Sequence, residues 1–550
     1  MKKYLAIAIT AGMILSLTAC GSSDSGNMAA SNGTQSSNSE TAAAGSAASN
    51  TADTDEKIAD TIYVGYGTEH TSLNPSKTNN GDTNQVYFQL YSNLWAVAKD
   101  GTIENELLDD WSVTEDGKEY TLTLKKDLKF SDGSDLTMND VYTTLNAYIT
   151  DPASPAGEEL WFISNMEVID DLTLKIYLDD PYPPIRNILA SNIGVIQSAK
   201  EFEYPEDEVN VNPETFIFNG PYKMTEWTPN KQIVLERNEY YFGDPAATDR
   251  IVLYPIQEPS SRGNALETGD IDIALSIMPE QVQIINTMPD KLNVFLAPGP
   301  FSRVFRFGCN DKYMSDKRVR LAITYAVDSK AIDDALFPGL YKECTSATLE
   351  GVFGYINLGA HKPDLEKAKE LLAEAGYPDG FKTKIVTTTR YNKGVEIAEA
   401  IAEQLKQINI EADVEVKEWA AIQEEWTGQT AETFDQPIFI MGAGCDTLDA
   451  DTAFNRLYTT SPDGTNTGTN YGFYSNPEVD ELVKAAAISI DEDFRLECYH
   501  RVCEILWQED PAQIYIYDPV TANGMNNDIK DFWTDPIGSI HLEDMYKVVK

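Results

Sequence analysis

Three short runs between residues 384 and 446 decide the fold: Lys384-Ile-Val-Thr-Thr-Thr389, Asp413-Val-Glu-Val-Lys417 and Pro437-Ile-Phe-Ile-Met441. Each is short and rich in β-branched or aromatic residues, as a strand should be. Between the first two, Val395 to Ile408 carries Ile397, Ala398, Ile401, Ala402 and Leu405 at helical spacing. Between the second and third, Ala420 to about Trp426 predicts another helix. The order is βαβαβ, so the three strands should be parallel with right-handed crossovers. In open parallel sheets, ligands bind beyond the carboxyl ends of the strands. Arg390, Trp419 and Asp446 stand at or just past those ends. A guanidinium takes a carboxylate bidentately, a carboxylate takes an ammonium, and an indole covers the apolar atoms between them. The trio suits a zwitterion such as a short peptide with free termini. The alternative is three ordinary loop residues, solvated or paired with neighbours. Among 88 acidic residues a single Asp is weak evidence.

The rest of the body alternates in the same α/β manner. Tyr120 to Leu124 has strand alternation, and Asp170-Asp171 joins Val168-Ile169 to Leu172–Leu178 as a hairpin. Ile233–Glu236 and Ile251–Tyr254 are further predicted strands. Val319 to Leu336 has helical periodicity. So does Asp364 to Ala375, with Pro363 at its entry and Gly376 at its exit.

The N-terminus reads differently. Lys2 and Lys3 precede an apolar run, Leu5 to Leu17, too short to span a bilayer, and Leu17-Thr18-Ala19-Cys20 closes it. The pattern resembles a bacterial lipoprotein signal. That implies a signal peptide over residues 1–19, cleavage before Cys20 and lipid attachment to its sulfur; two acyl chains would hold a domain at a membrane durably. The alternative is an ordinary secretory signal with an incidental cysteine. Residues 21–56 are almost wholly Ser, Asn, Ala, Gly, Thr and Asp, with no aromatic residue, and are expected to form a disordered tether.

A net charge of −46 argues against nucleic acid and against docking to anionic lipid through a basic patch. His70, His361, His500 and His541 are scattered without metal-ligand spacing, so no metal site and no cofactor is indicated. Beyond Cys20 stand Cys309, Cys344, Cys445, Cys498 and Cys503, an odd number without C-x-x-C. They read as reduced core residues, with room for one long-range bridge.

Many ordered segments of residues 60–550 together resemble family 5 extracellular solute-binding proteins, the peptide-, dipeptide- and nickel-binding subunits of ABC importers. They include Ser72-Leu-Asn-Pro75, Asp110-Trp-Ser-Val-Thr-Glu-Asp-Gly117, Leu128-Lys-Phe-Ser-Asp-Gly133, Asn219-Gly-Pro-Tyr-Lys223, Leu266-Glu-Thr-Gly-Asp-Ile-Asp272, Val319–Asp328 and Tyr474-Ser-Asn-Pro-Glu-Val-Asp480. The resemblance implies a two-lobe periplasmic-binding-protein-like fold (type II, cluster C). Lobe one would span 57–298 with an extra subdomain at about 97–211, lobe two 299–514, and residues 515–550 would return to lobe one.

It also implies roles. Asp446 would receive the ligand's ammonium and Arg390 its carboxylate, with Tyr391 and Trp419 flanking. Asp449, the second Asp of the motif over Gly442–Asp451, is assigned to the same site. Ala443, Cys445 and Ala450 stand where the family's dipeptide binders have Trp, Gly and Pro, and a residue is missing between Arg390 and Tyr391. A smaller residue at 443 would open the pocket. The expected function is a monomeric, lipid-anchored binder on the outer face of the cell membrane, periplasmic where an outer membrane exists. It would capture short peptides and pass them to a permease. A nickel chelate, heme or an oligosaccharide remains an alternative ligand on this fold, and sensing an alternative to uptake. A secreted hydrolase is disfavoured: the chain lacks G-x-S-x-G, H-E-x-x-H and a recognisable Cys–His pair.

Overall fold

The structure, a computed structural model, describes residues 57–70, 72–77, 81–152, 154, 156–204, 212–426, 429–445, 447–461, 464 and 470–549. The expected signal and tether, with Cys20, lie outside them. Among the described residues no helix is long and apolar enough to cross a membrane.

One twisted sheet runs through the molecule. Its first part holds β1 (Thr61–Tyr66), β2 (Tyr222–Thr228), β3 (Gln232–Arg237), β4 (Arg250–Pro255), β5 (Ile273–Ala274) and β6 (Leu292–Pro298). Its second part holds β7 (Phe301–Phe307), β8 (Phe381–Thr387), β9 (Ile410–Val416) and β10 (Ile438–Gly444). β11 (Gln513–Asn526) belongs to both, and the strand order is β9-β8-β10-β7-β11-β5-β1-β4-β3-β2, with β6 also on β11. The first four residues matched on β11 pair with β7, from Arg303↔Tyr517 to Arg306↔Gln513, and Val520–Asn526 pair with β6. The chain thus passes between the two parts of the sheet twice, at the tight β6–β7 corner and midway along β11.

The three strands that set the fold class are parallel. β8 lies between the other two, pairing Phe381↔Ile410 through Thr387↔Val416 on one side and Ile385↔Ile438 on the other. Ile385, Val386, Ile438, Phe439 and Ile440 are all at most 1 % exposed, the signature of a sheet covered on both faces. One cover is helix α1 (Gly394–Leu405), whose Ile397, Ala398, Ile401 and Leu405 are buried as its periodicity requires. The second crossover helix is α2 (Trp419–Trp426).

The stretch from Val319 to Leu336 is not one helix. It breaks into Lys317–Ala326 and Ser329–Leu336, because Val327 is extended and the Asp328 side chain accepts from the Ala331 amide as an N-cap. A capping carboxylate offers the backbone a partner outside the helix, so the apolar period continues across a true boundary. By contrast, Asp364 caps Leu365–Glu374 where expected. A separate antiparallel sheet, in the order Leu108–Val113, Glu119–Leu124, Thr173–Leu178, Ile163–Asp170, contains the predicted hairpin and packs a core of its own. All five cysteines beyond Cys20 are free.

Candidate ligand cleft

A cavity of about 620 Å³ opens where the two lobes face each other. Lobe one supplies Tyr66, Gln85, Phe88 and Leu275, the β6–β7 corner supplies Pro298 to Phe301, and lobe two supplies Met441, Gly442, Gly444, Thr447 and Leu448. The volume falls in the range of sites that enclose a small ligand. The far wall requires glycine: a Cβ on Gly444 would stand 2.0 Å from the Pro300 carbonyl oxygen, so only a bare backbone lets β10 end against the corner. Ala443, between the two lining glycines, turns the other way into a core with Val304, Val352 and Phe454. Its small side chain enlarges no part of the cavity.

Beyond Leu448 the chain enters helix α3 (Ala450–Tyr458), capped by Asp449, whose Oδ1 accepts from the Asp451 amide. Asp449 is 1 % exposed, and both carboxylate oxygens accept from Nη2 of Arg495, at 2.9 and 2.8 Å. Arg495 sits on α4 (Glu492–Glu504), also donates to the Ala486 carbonyl, and lies over the Phe353 ring. Asp449 therefore holds the turn beside the cleft and faces Arg495. Asp446, the residue assigned to the ammonium, lies outside the described residues. Its flanking Cys445 and Thr447 are tied to each other and to Thr452 by thiol and hydroxyl hydrogen bonds.

The first turn of α3 is gripped from both sides, by Tyr182 of lobe one and Tyr499 of α4. The Tyr182 hydroxyl donates to Asp451 Oδ2 at 2.8 Å, and the Tyr499 hydroxyl donates to Asp451 Oδ1 at 3.2 Å. Burial, then the Asp449 charge, pushes the Asp451 carboxyl up to about 6, against the opposing pull of these hydroxyls and of Arg495. With its carboxyl raised to about 6, Asp451 is expected to accept the Tyr182 hydrogen bond as a carboxylate at pH 8 and as a neutral acid at pH 5. Tyr182→Phe is expected to cost about 1 to 2 kcal/mol at pH 8 and less at pH 5, read by urea unfolding at the two pH values. An equal cost at both would contradict the ionised acceptor. At the cavity's lip Arg456 donates to Glu159 at 3.2 Å, an exposed pair that contributes little.

The other predicted site residues come together. The Arg390 guanidinium lies 4.7 Å from the Trp419 ring, and Tyr391 meets Trp419 edge-on at 5.6 Å. Trp419 meets Trp426 edge-on in turn, and Trp426 stacks on Tyr471. This aromatic ladder sits past the ends of β8 and β9 and does not itself line the cavity. The link between them is Arg303 on β7, which sequence reasoning missed. Its guanidinium stacks 3.7 Å over Tyr391, and its strand register pairs it with the cavity-lining Gly442. The signal was present: Ser302-Arg-Val-Phe-Arg-Phe307 places two arginines in an otherwise apolar strand.

Comparison with known proteins agrees with this architecture. The family model described as bacterial extracellular solute-binding proteins, family 5 Middle, matches residues 102–465. The Glutathione-binding protein GsiB of Salmonella choleraesuis (strain SC-B67) is 27 % identical over 487 residues, which cover 88 % of this chain and 94 % of that one. Among solved structures, HbpA2 from Haemophilus parasuis superposes with a TM-score of 0.79 at 23 % identity, over 89 % of this chain and all of the other. The Helicobacter pylori periplasmic binding protein DppA, in complex with the peptide STSA, gives 0.70 at 24 % identity, over 88 % and 99 %. With the two-lobe α/β body and the cleft between its lobes, these matches establish that the chain belongs to the family 5 bacterial extracellular solute-binding proteins, the solute-binding components of ABC importers.

Proposed function

We propose that the chain captures short peptides with a free carboxyl terminus between its lobes and delivers them, chemically unaltered, to a permease. The observation that carries this reading is the cluster of Arg390, Tyr391 and Trp419 at the carboxyl ends of parallel strands beside the cleft. There a guanidinium over an indole presents its edge to a carboxylate. Among the described residues no acidic side chain pairs with Arg390, in a chain with 88 of them. Asp446 takes the ligand's ammonium in this reading, and Asp449, fixed by Arg495, positions the turn that carries it. A relative named for binding glutathione and a neighbour solved with the peptide STSA support a peptide over the other ligands of this fold. Closure follows because only the shut form satisfies both ends of the zwitterion. Cys20 anchors the chain by lipid to the outer face of the membrane, and the −46 charge keeps tethered copies apart.

Calorimetric titration with a panel of peptides tests the reading. Arg390→Ala is expected to weaken free-acid peptides by about 1.5 to 3 kcal/mol while sparing C-terminally amidated ones. Equal losses for both would remove Arg390 from carboxylate recognition.

A further inference from the structure

Arg303 is an arginine without a carboxylate. Its Nε and Nη1 are buried and have no hydrogen-bond partner among the described residues, and no acidic side chain forms an ion pair with it there. The phenol of Tyr517, paired with it across β7 and β11, lies within hydrogen-bonding reach, and the Tyr391 ring covers one face. A guanidinium so placed is desolvated on one side and neutralised on none. Such a group costs free energy unless an anion arrives.

Geometry says where the anion comes from. A Cβ on Gly442 would lie 3.8 Å from Nη1, and Gly442 lines the cleft. Gly442 places no side chain between Nη1 and the cavity, and the Phe301 side chain, which also lines the cleft, is the other neighbour of that position. Tyr391 joins Arg303 to the carboxylate site, since it stacks on Arg303, follows Arg390 in the chain and meets the same Trp419.

We propose that Arg303 is the cation of a second anion subsite in the cleft, which takes the side-chain carboxylate of a peptide's C-terminal residue while Arg390 takes the terminal carboxylate. The ligand class is then the acidic peptide, which deepens the peptide reading above and rests on it. Tyr391 separates the two guanidiniums, so each meets its own carboxylate.

Titrating the full-length chain with two matched pairs, Ala-Glu against Ala-Gln and Ala-Ala-Glu against Ala-Ala-Gln, tests this. The wild type is expected to bind the Glu member of at least one pair at least tenfold more tightly. Arg303→Gln should bring the two members within about twofold by weakening the Glu peptide alone, and Arg303→Lys should keep part of the preference. A wild type indifferent to Glu and Gln, or an Arg303→Gln variant that keeps the preference, overturns the subsite while leaving peptide capture standing. Failure of all four peptides to bind overturns both. Should Arg303→Gln not fold, the wild-type ratio together with the Arg303→Lys ratio decides the matter.

Discussion

Arg495→Met is expected to destabilise the folded chain by about 3 to 5 kcal/mol, the range for removing one partner of a buried ion pair. The reason is what stays behind. Asp449 is 1 % exposed and receives both of its charge-neutralising hydrogen bonds from the one guanidinium, so the variant strands an anion in an apolar core. Methionine refills most of the volume, which leaves the charge as the chief loss. In the wild type burial works against the Arg495 charge, and its neighbours, Asp449 foremost, outweigh that and hold the guanidinium protonated, so the pair is a true ion pair. Urea unfolding at neutral pH measures the cost. Adding Asp449→Asn to Arg495→Met should recover part of it, since the double variant no longer strands the Asp449 charge. A cost below about 1 kcal/mol, or a double variant worse than the single, would contradict the account. The lesion bears on function through position: Asp449 caps α3 and fixes the turn whose Thr447 and Leu448 line the cleft.

The second large effect is a gain. Asp333 is fully buried in helix Ser329–Leu336, and neither carboxylate oxygen has a hydrogen-bond partner among the described residues. Burial, then the charges of Asp334, Glu343 and Asp518, pushes its carboxyl up to about 8. An acid whose folded pKa is raised binds more protons folded than unfolded across the interval between the two values. Its contribution to stability therefore falls as pH climbs from about 4 to about 8, and above that window the fold carries a buried anion. Asp333→Asn removes that anion and is expected to stabilise the chain by about 2 to 4 kcal/mol at pH 8.5, with little gain at pH 5. Glu201, raised to about 8 by burial, and Glu106, raised to about 7 by burial, tilt the whole profile in the same direction. The wild type should melt at a higher temperature at pH 5 than at pH 8.5, and Asp333→Asn should flatten the slope. A variant that runs parallel to the wild type across this range would show that Asp333 is not the buried acid responsible.

The elements that were legible in the sequence are those whose local pattern and tertiary environment agree. Ile385-Val386 and Ile438-Phe-Ile440 read as strands because a doubly covered parallel sheet asks for unbroken apolar runs, and α1 read as a helix because its buried face repeats at 3.6 residues. The proximity of Arg390 and Trp419 followed from strand order, while Tyr391 entered through the family resemblance. What escaped depends on partners distant in sequence. Asp449 and Arg495 are 46 residues apart, and nothing in either segment announces that the motif's second carboxylate meets an internal guanidinium. Arg303 hid because an arginine in an apolar strand is ambiguous between a snorkelling edge residue and a buried cation. Ala443 looked like a cleft residue by position, yet the period of two along β10 turns it away from the cavity and into the core it shares with Phe454 of α3. The break at Asp328 was masked because apolar periodicity carries across a cap.

The most direct test is a crystal structure of the full-length chain with an acidic peptide bound. The account predicts the peptide between the lobes, its terminal carboxylate on Arg390, its side-chain carboxylate reaching Arg303 past Gly442, and its ammonium at Asp446. A peptide seated elsewhere, or a cleft occupied by a neutral solute with the 303 and 390 guanidiniums turned away from it, would contradict it.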